Sequence, residues 1–213
     1  MKKAVIFDVD GTLWDAVLVI TESWNKTLQR FPEVTSRVTC EVMRNMMGKT
    51  MDEFVCLFPE LSGERAREIL DFCCKEEIQY LHSHPGTMYP GMREVLEMLH
   101  QQYELFIVSN CQNGYIEALL SSCNLSHLFE GFECFGRTGK KKGQNIQIVM
   151  QRYDIDKAIY IGDTQMDQEA AEYADIPFIF AKYGMGQVGY SRFAVNEPSE
   201  IPEEICKMKY FAL

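Results

Sequence analysis

Two aspartates near the start of the chain, Asp8 and Asp10, directly follow the apolar run at 4–7. That run is typical of a fully buried strand, because its residues are apolar without alternation. Burying ionised carboxylates inside such a strand would cost free energy of folding. At the strand's carboxyl end, where Gly11 lets the chain turn away, both can point into one crevice. Paired acids in a crevice can bind a metal ion, attack an electrophile or transfer protons, so we expect function here.

Four more strand-like runs follow, and polar residues stand beside the end of each. The runs are 104–108, 131–134, 158–161 and 178–181. The polar residues are Ser109-Asn110, Gly136-Arg137, Gly162-Asp163-Thr164 and Lys182-Tyr183. Helix-like segments near 91–101, 112–122, 144–153 and 165–174 separate the runs. This alternation predicts an α/β fold, a Rossmann-like parallel sheet with helices on both faces. The carboxyl ends of parallel strands share one edge, so the polar pieces converge with Asp8.

The segment 15–83 breaks the alternation. It holds no convincing strand and several amphipathic helical stretches, at 15–30, 50–57 and 63–81. Thr39, Thr50 and Ser62 are suitable helix N-caps. We therefore predict an α/β catalytic core made of 1–14 and 84–213, with an inserted helical cap at 15–83. A short final helix follows the prolines of the carboxyl-terminal tail.

Composition limits the class of protein. The chain has 213 residues, 46% of them apolar, and a formal net charge of −10. An acidic chain of this kind does not attract nucleic acid or anionic membranes. Its eight cysteines include no Cys-x-x-Cys pair, which favours buried thiols in a reducing compartment over zinc or disulfides. No stretch approaches the roughly 20 apolar residues of a membrane span. We expect a soluble, cytoplasmic protein; the sequence does not indicate its oligomeric state.

The motifs together resemble one family. Asp8-Val9-Asp10-Gly11-Thr12, Ser109 after a strand, a later lysine, and Gly162-Asp163-Thr164 with Asp167 occur in order. The chain resembles the haloacid dehalogenase-like hydrolase superfamily, on the branch with a helical cap between the first and second motifs. Within that branch it is similar to members of the phosphoglycolate phosphatase type. The resemblance spans roughly residues 3–13 and 85–185.

The resemblance implies roles for the first motif. Asp8 would be the nucleophile that forms an aspartyl-phosphate, which splits a difficult hydrolysis into two displacements. Asp10 would be the general acid and base, and its backbone carbonyl would bind the metal. Thr12 would bind phosphate. An aspartate is also common in turns, so Asp10 has a structural alternative as a turn residue.

Oxygen ligands from carboxylates and water indicate Mg²⁺ rather than zinc. Asp8 and Asp163 would be side-chain ligands, and Asp167 a further ligand, directly or through water. An acid in the first turn of a helix also suits the helix dipole, so Asp167 has the alternative role of stabilising a helix end.

Other residues would bind the phosphoryl group. Ser109 could donate its hydroxyl and Asn110 a backbone N–H, although a serine there could simply cap the next helix. A lysine of the run Lys140-Lys141-Lys142 would face the phosphate and Asp8. We choose Lys142, with Lys141 second; the family's usual proline after this lysine is replaced by Gly143.

The cap should determine substrate choice. Trp14 could face the ligand or pack in the core, and Lys49 and Asp52 are further candidates. Charged residues without a clear role are Arg37, Arg44, His82 and His84.

We expect a Mg²⁺-dependent phosphatase that acts on a small phosphorylated metabolite. Asp10 argues against halide-removing members of the superfamily, which lack the second acid. A sugar phosphomutase of the same superfamily is an alternative. A phospho-acceptor switch of the receiver type is another, although a receiver lacks the insert at 15–83 that a lidded enzyme uses to exclude water.

Overall fold

The structure is a computed structural model that describes residues 1–211, and a six-stranded parallel sheet lies at its centre. The strands are β1 (Lys3–Phe7), β4 (Glu104–Ser109), β5 (Gly131–Cys134), β6 (Lys157–Gly162), β7 (Phe178–Ala181) and β8 (Ala194–Val195). Their order across the sheet is β5-β4-β1-β6-β7-β8. The five predicted strands are confirmed, and β8 is an additional short edge strand.

Strand β1 is buried on both faces, which explains its unbroken apolar run. Val5 and Phe7 belong to one apolar cluster, whereas Ala4 and Ile6 belong to a second cluster on the other face. Neighbouring residues of a strand point to opposite faces, so a strand between two helical layers must be apolar throughout.

The described part of the chain has nine α-helices, and helices lie on both faces of the sheet. They are α1 (Val17–Leu28), α2 (Cys40–Met46), α3 (Gly63–Ser83), α4 (Met92–His100), α5 (Tyr115–Ser122), α6 (Phe135–Thr138), α7 (Lys142–Arg152), α8 (Gln165–Tyr173) and α9 (Ile201–Met208). Helices α4, α5 and α9 bury residues in the Phe7 cluster, while α7 and α8 bury theirs in the Ile6 cluster. The prediction of helices on both faces is confirmed.

The segment 15–83 is mainly helical, with α1, α2, a 3-10 helix at Met51–Leu57 and α3. Thr39, Thr50 and Ser62 are the residues that precede these helices, as predicted from their type. The prediction that the segment lacks a strand is wrong at Asp15. Strand β2 (Trp14–Asp15) pairs with β3 (Thr87–Met88) in an antiparallel ribbon that joins the two ends of the segment. Two-residue strands are too short to give a sequence pattern. The division into core and cap stays a prediction.

No helix within residues 1–211 combines the length and the apolar character that crossing a membrane requires.

Candidate active site

The predicted acids meet at the carboxyl edge of the sheet. Asp8 directly follows β1, Asp163 directly follows β6, and Asp167 lies in the first turn of α8. Since β1 and β6 are paired neighbours, their ends bring the three carboxylates together. All three residues are buried, and one oxygen from each lies within 4.8 Å of the others.

Lys142, the first residue of α7, completes this group. Its buried Nζ lies 2.9 Å from Asp8 Oδ1 and 2.6 Å from Asp167 Oδ1. Burial disfavours the ammonium charge, but Asp167 and Asp8 outweigh burial and raise the pKa of Lys142. Lys141, the second choice from the sequence, is exposed. The structure therefore brings Lys142, and not Lys141, to Asp8.

Gly143 has a packing reason for replacing the usual proline. A Cβ at this position would lie 2.8 Å from Cδ1 and 2.9 Å from Cβ of Tyr173 at the end of α8. Such distances are too short for a real Cβ, so glycine lets α7 approach α8 closely. Lys142 therefore reaches Asp8 although glycine, and not proline, follows it.

Asp163 is held in one orientation and keeps one oxygen free. Its Oδ2 accepts hydrogen bonds from the backbone N–H groups of Met185 and Gly186, both at 2.8 Å. Its buried Oδ1 has no hydrogen-bond partner within residues 1–211. Gly11 has φ +79°, and a Cβ there would lie 2.0 Å from Asp163 Oδ2, so only glycine allows the first motif to approach this carboxylate.

Both oxygens of Asp167 already have donors. Oδ1 accepts from Lys142 and, at 3.3 Å, from the hydroxyl of Tyr160. Oδ2 accepts from the backbone N–H and the hydroxyl of Thr164, at 2.9 and 2.6 Å. This is a capping box at the start of α8, the structural alternative considered for Asp167. The role of Asp167 as a metal ligand stays a prediction.

The acid cluster has the chemistry of a divalent-cation site. Burial, together with repulsion from Asp167, raises the pKa of Asp8 to about 6, although Lys142 lowers it. Burial, with repulsion from Asp167 and Asp8, raises the pKa of Asp163 to about 7. A cation between these carboxylates would stabilise their ionised forms. The free oxygen of Asp163 beside Asp8 fits a hard, oxygen-binding ion such as Mg²⁺.

Asp10 is set apart from this cluster by its own hydrogen bonds. Its Oδ1 accepts from the hydroxyl of Tyr115 at 2.7 Å and from Nε1 of Trp14 at 3.1 Å. Burial raises the pKa of Asp10 to about 8, although the Tyr115 hydrogen bond lowers it. A carboxyl group with this pKa carries a proton over much of the neutral range and can donate it. Trp14 is fully buried against the Tyr115 ring, so it packs in the core and orients Asp10.

The remaining predicted phosphate-binding residues are buried beside Asp8 and Asp10. Thr12 Oγ1 and Asn110 Oδ1 have no hydrogen-bond partner in the described residues. Asn110 Nδ2 donates to the carbonyl of Gly48 at 2.8 Å, which links the end of β4 to the segment before the 3-10 helix. Ser109, at the end of β4, lines a cavity together with Asn110 and Asp10. Buried polar atoms without partners are rare and indicate a place for a ligand.

This cavity lies between the sheet edge and helices α1, α2 and α3, and its volume is about 30 Å³. Its walls are largely apolar and carry a few polar groups. The apolar side chains are Ile20, Trp24, Met43, Met46, Met47, Met51 and Phe54. A wider groove of about 820 Å³ passes Asn110 and Lys142 and continues to Thr50, Glu53 and Met166.

Among the candidates from the segment 15–83, Lys49 lines the cavity. Arg37, Arg44 and Asp52 are exposed, as are His82 and His84. Glu77, a buried residue of α3, also lines the cavity and is not among the residues predicted from the sequence. Glu77 lies three or four residues from the buried Cys73, Cys74 and Leu81, and this helical spacing places it on their inward face.

Comparisons with known proteins agree with the motifs. The family model "Haloacid dehalogenase-like hydrolase" matches residues 5–181. Phosphoglycolate phosphatase of Vibrio vulnificus is 26% identical over 223 residues, covering 97% of this chain and 94% of the relative. Phosphoserine phosphatase of Bos taurus is 26% identical over 190 residues, covering 81% and 78%.

A solved haloacid dehalogenase-like hydrolase from Streptococcus pneumoniae has the same fold, with a TM-score of 0.82 and 20% identity. The match covers 96% of this chain and 98% of that protein. The family model spans most of the chain, including the first motif and the acids after β6. The chain is a hydrolase and belongs to the haloacid dehalogenase-like hydrolase family.

Proposed function

We propose that the chain is a Mg²⁺-dependent phosphatase that hydrolyses a small phosphorylated metabolite through an aspartyl-phosphate on Asp8. The observation that carries the proposal is the position of Asp8. Its carboxylate is buried at the end of β1, 2.9 Å from the Lys142 ammonium, and shares a cluster with Asp163. The names of the phosphoglycolate and phosphoserine phosphatases among the relatives support this reaction type.

Asp8 and Asp163 would hold the metal, with the carbonyl of Asp10 as a further ligand. Mg²⁺ would supply positive charge that offsets the charge of the phosphoryl group. Asp167 would be a further ligand through water, while its hydrogen bond keeps Lys142 in place. Lys142, Thr12, Ser109 and a backbone N–H of Asn110 would bind the phosphoryl oxygens.

In the first step an oxygen of Asp8 attacks phosphorus and forms a new P–O bond. The bond from phosphorus to the ester oxygen breaks, and its electron pair leaves with that oxygen. Asp10 gives its proton to the departing oxygen, so the product leaves as a neutral alcohol. The raised pKa of Asp10 supports this role, because the proton is present before the reaction begins.

In the second step water releases the phosphate. Asp10, now ionised, takes a proton from a water molecule while the water oxygen attacks phosphorus. The bond from phosphorus to Asp8 breaks, and its electron pair returns to the carboxylate. Phosphate ester and water are thereby converted into alcohol and inorganic phosphate, and both aspartates regain their starting states.

The cavity beside Asp10 argues against a receiver-type switch, which needs no compartment beside its acceptor aspartate. A sugar phosphomutase stays the alternative, and conversion of a sugar phosphate without net release of phosphate would identify it.

Phosphate release tests the proposal. The purified chain should hydrolyse p-nitrophenyl phosphate and two- or three-carbon phosphate esters with Mg²⁺, and excess EDTA should stop the reaction. Asp8→Asn should abolish release, while Asp71→Asn, at an exposed position of α3, should keep wild-type activity. Failure to hydrolyse any ester in a well-folded preparation would contradict the proposal.

A further inference from the structure

Glu77 is a buried carboxylate that lacks a cation. It is 3% exposed, and only neutral groups donate to it: Nε1 of Trp24, and Nε2 of Gln112 at 2.7 Å. Among residues 1–211, no lysine, arginine or histidine lies within ion-pair distance of its oxygens. Glu133 is similarly buried, but its charge is stabilised by two cations. Arg137 and Arg152 pair with it at 3.4 and 3.3 Å.

A buried carboxylate without a cation is costly, and this cost favours a ligand that supplies the missing charge. Burial raises the pKa of Glu77 to about 7, even though Trp24 and Gln112 lower it. Those two donors fix the orientation of the carboxylate on the wall of the cavity that Asp10 also lines. A bound cation at Glu77 would therefore lie in the same compartment as the general acid.

Asn110 adds a further buried acceptor to the cavity. Asn110 Oδ1 is buried without a donor, while its Nδ2 is occupied by the carbonyl of Gly48. Lys49 is the one cationic side chain among the residues that line the cavity. It is only partly buried, and its Nζ contacts Met46 Sδ at 3.8 Å. The buried part of the cavity thus favours a ligand with a positive charge and several N–H donors.

The position of Asp10 shows which part of the substrate enters the cavity. Asp10 must reach the ester oxygen to protonate it, so the alcohol half of the ester occupies the space between Asp10 and Glu77. The cavity is small, about 30 Å³, which makes a short leaving alcohol the first choice for the test.

We propose that Glu77 selects phosphate monoesters of small amino alcohols by pairing with the ammonium group of the leaving alcohol. The inference rests on the proposed phosphatase activity and names its substrate class. Asn110 Oδ1 accepts a second hydrogen bond from the same ammonium. Glu77 does not contact the reacting atoms in this assignment, but its charge helps to raise the pKa of Asp10. The readout is therefore the preference between esters, because an effect through Asp10 acts on all of them alike.

Three esters of equal chain length show which charge on the leaving alcohol the site prefers. O-phosphoethanolamine, 2-hydroxyethyl phosphate and phosphoglycolate carry an ammonium, a hydroxyl and a carboxylate at the same distance from phosphorus. The wild-type chain with Mg²⁺ should show a kcat/KM for O-phosphoethanolamine roughly 10- to 100-fold above that for 2-hydroxyethyl phosphate, as expected for a hydrogen-bonded charge. An equal or lower value, or a preference for phosphoglycolate through Lys49, would overturn the inference.

Glu77→Gln keeps the size of the side chain and removes its charge. It should lower the ratio of kcat/KM for O-phosphoethanolamine to that for 2-hydroxyethyl phosphate about 10-fold or more. Glu76→Gln is the matched control, because Glu76 is the adjacent residue of α3 and pairs with Arg30 at the surface. Unchanged preference in Glu77→Gln would refute the assignment.

Binding provides a readout without turnover. Isothermal titration calorimetry of O-phosphoethanolamine with Asp8→Asn and with the double variant Asp8→Asn/Glu77→Gln should show weaker binding in the double variant. Equal affinity would contradict the inference. The three-ester series on the wild-type chain needs no variant, so misfolding of Glu77→Gln would leave that test intact.

The outcomes also separate this inference from the function on which it rests. Release of phosphate from all three esters at equal rates would contradict the role of Glu77 and leave the phosphatase activity standing. No release from these esters or from p-nitrophenyl phosphate would contradict the proposed function itself.

Discussion

Two regions of the site treat buried charge differently. At the carboxyl edge of the sheet, the sheet side, Lys142 stands between Asp8 and Asp167, and two backbone N–H groups hold Asp163. On the helical side, the wall of the cavity that α1, α2 and α3 form, Glu77 has neutral donors and no cation. In the proposed function the sheet side would bind the phosphoryl group and the metal for every ester, while Glu77 would bind the rest of the substrate. Reaction and selectivity would then lie on different elements.

The two regions also differ in how closely they are packed. On the sheet side a Cβ at Gly11 would overlap Asp163, so the first motif lies directly against this carboxylate. The helical side presents the thioethers of Met43, Met46, Met47 and Met51. Methionine is unbranched and adapts to irregular shapes, so this wall can adjust to small differences between leaving groups.

The largest effect should come from Lys142→Met on the sheet side. Without the ammonium, Asp8 and Asp167 face each other unpaired in a buried site, and the pKa of Asp8 rises further. We expect kcat/KM to fall by about 10³-fold or more for every ester alike, a loss comparable with that of a strong electrostatic contact in other active sites. Phosphate-release assays with the three esters measure this.

Lys141→Met is the matched control for that variant. Lys141 is exposed and adjacent in sequence, so its replacement should keep at least half of the wild-type activity. If both lysine variants lost activity equally, the general positive charge of the run would matter and the specific contact of Lys142 would not.

The effect of Asp10→Asn should depend on the leaving group, unlike that of Lys142→Met. The variant cannot donate a proton, so hydrolysis of an alkyl phosphate should slow about 10²- to 10⁴-fold. p-Nitrophenolate leaves readily without a proton. The rate of the first step with p-nitrophenyl phosphate should therefore fall clearly less than that with an alkyl phosphate. Single-turnover kinetics with both esters measure the difference. Equal losses in that step would argue that Asp10 positions the substrate and does not act as an acid.

The smallest effect concerns stability on the helical side. The pKa of Glu77 is raised from 4.5 to about 7, so the folded chain holds a proton there that the unfolded chain has lost. The stability that this proton provides is complete below about pH 4.5 and is lost as the pH rises through about 7. The loss is at most about 3 kcal/mol.

Thermal unfolding without ligand checks this prediction. Between pH 5 and pH 8, the wild-type chain should lose more stability than Glu77→Gln, because the variant has no proton to lose at this position. The difference between the two chains removes the contributions of Asp8, Asp10 and Asp163, which titrate in both. Parallel pH profiles would show that Glu77 has an unshifted pKa and a solvated environment.

Much of the sheet side could be predicted from the sequence. Unbroken apolar runs mark buried parallel strands, and polar residues at their carboxyl ends must converge. These two rules place Asp8, Ser109 and Asp163 at one edge from the sequence alone. Lys142 was harder, because three consecutive lysines look alike until the start of α7 shows which of them points inward.

The helical side was less predictable for physical reasons. Glu77 follows Glu76 in a charged stretch of α3, which resembles a solvated surface. Its burial depends on packing against Trp24 of α1 and Gln112 after β4, contacts between residues far apart in sequence. The hydrogen bonds of Trp14 and Tyr115 to Asp10 have the same origin. Local patterns carry no information about such pairs.

The most direct test of the central claim is to find the phosphoryl group on Asp8. The chain would be quenched during turnover of O-phosphoethanolamine or p-nitrophenyl phosphate with Mg²⁺ and treated with borohydride, which reduces an aspartyl-phosphate to homoserine. Mass spectrometry of the peptides should then show homoserine at position 8 in the wild-type chain and none in Asp8→Asn. Homoserine at another aspartate, or rapid phosphate release with none at position 8, would contradict the account.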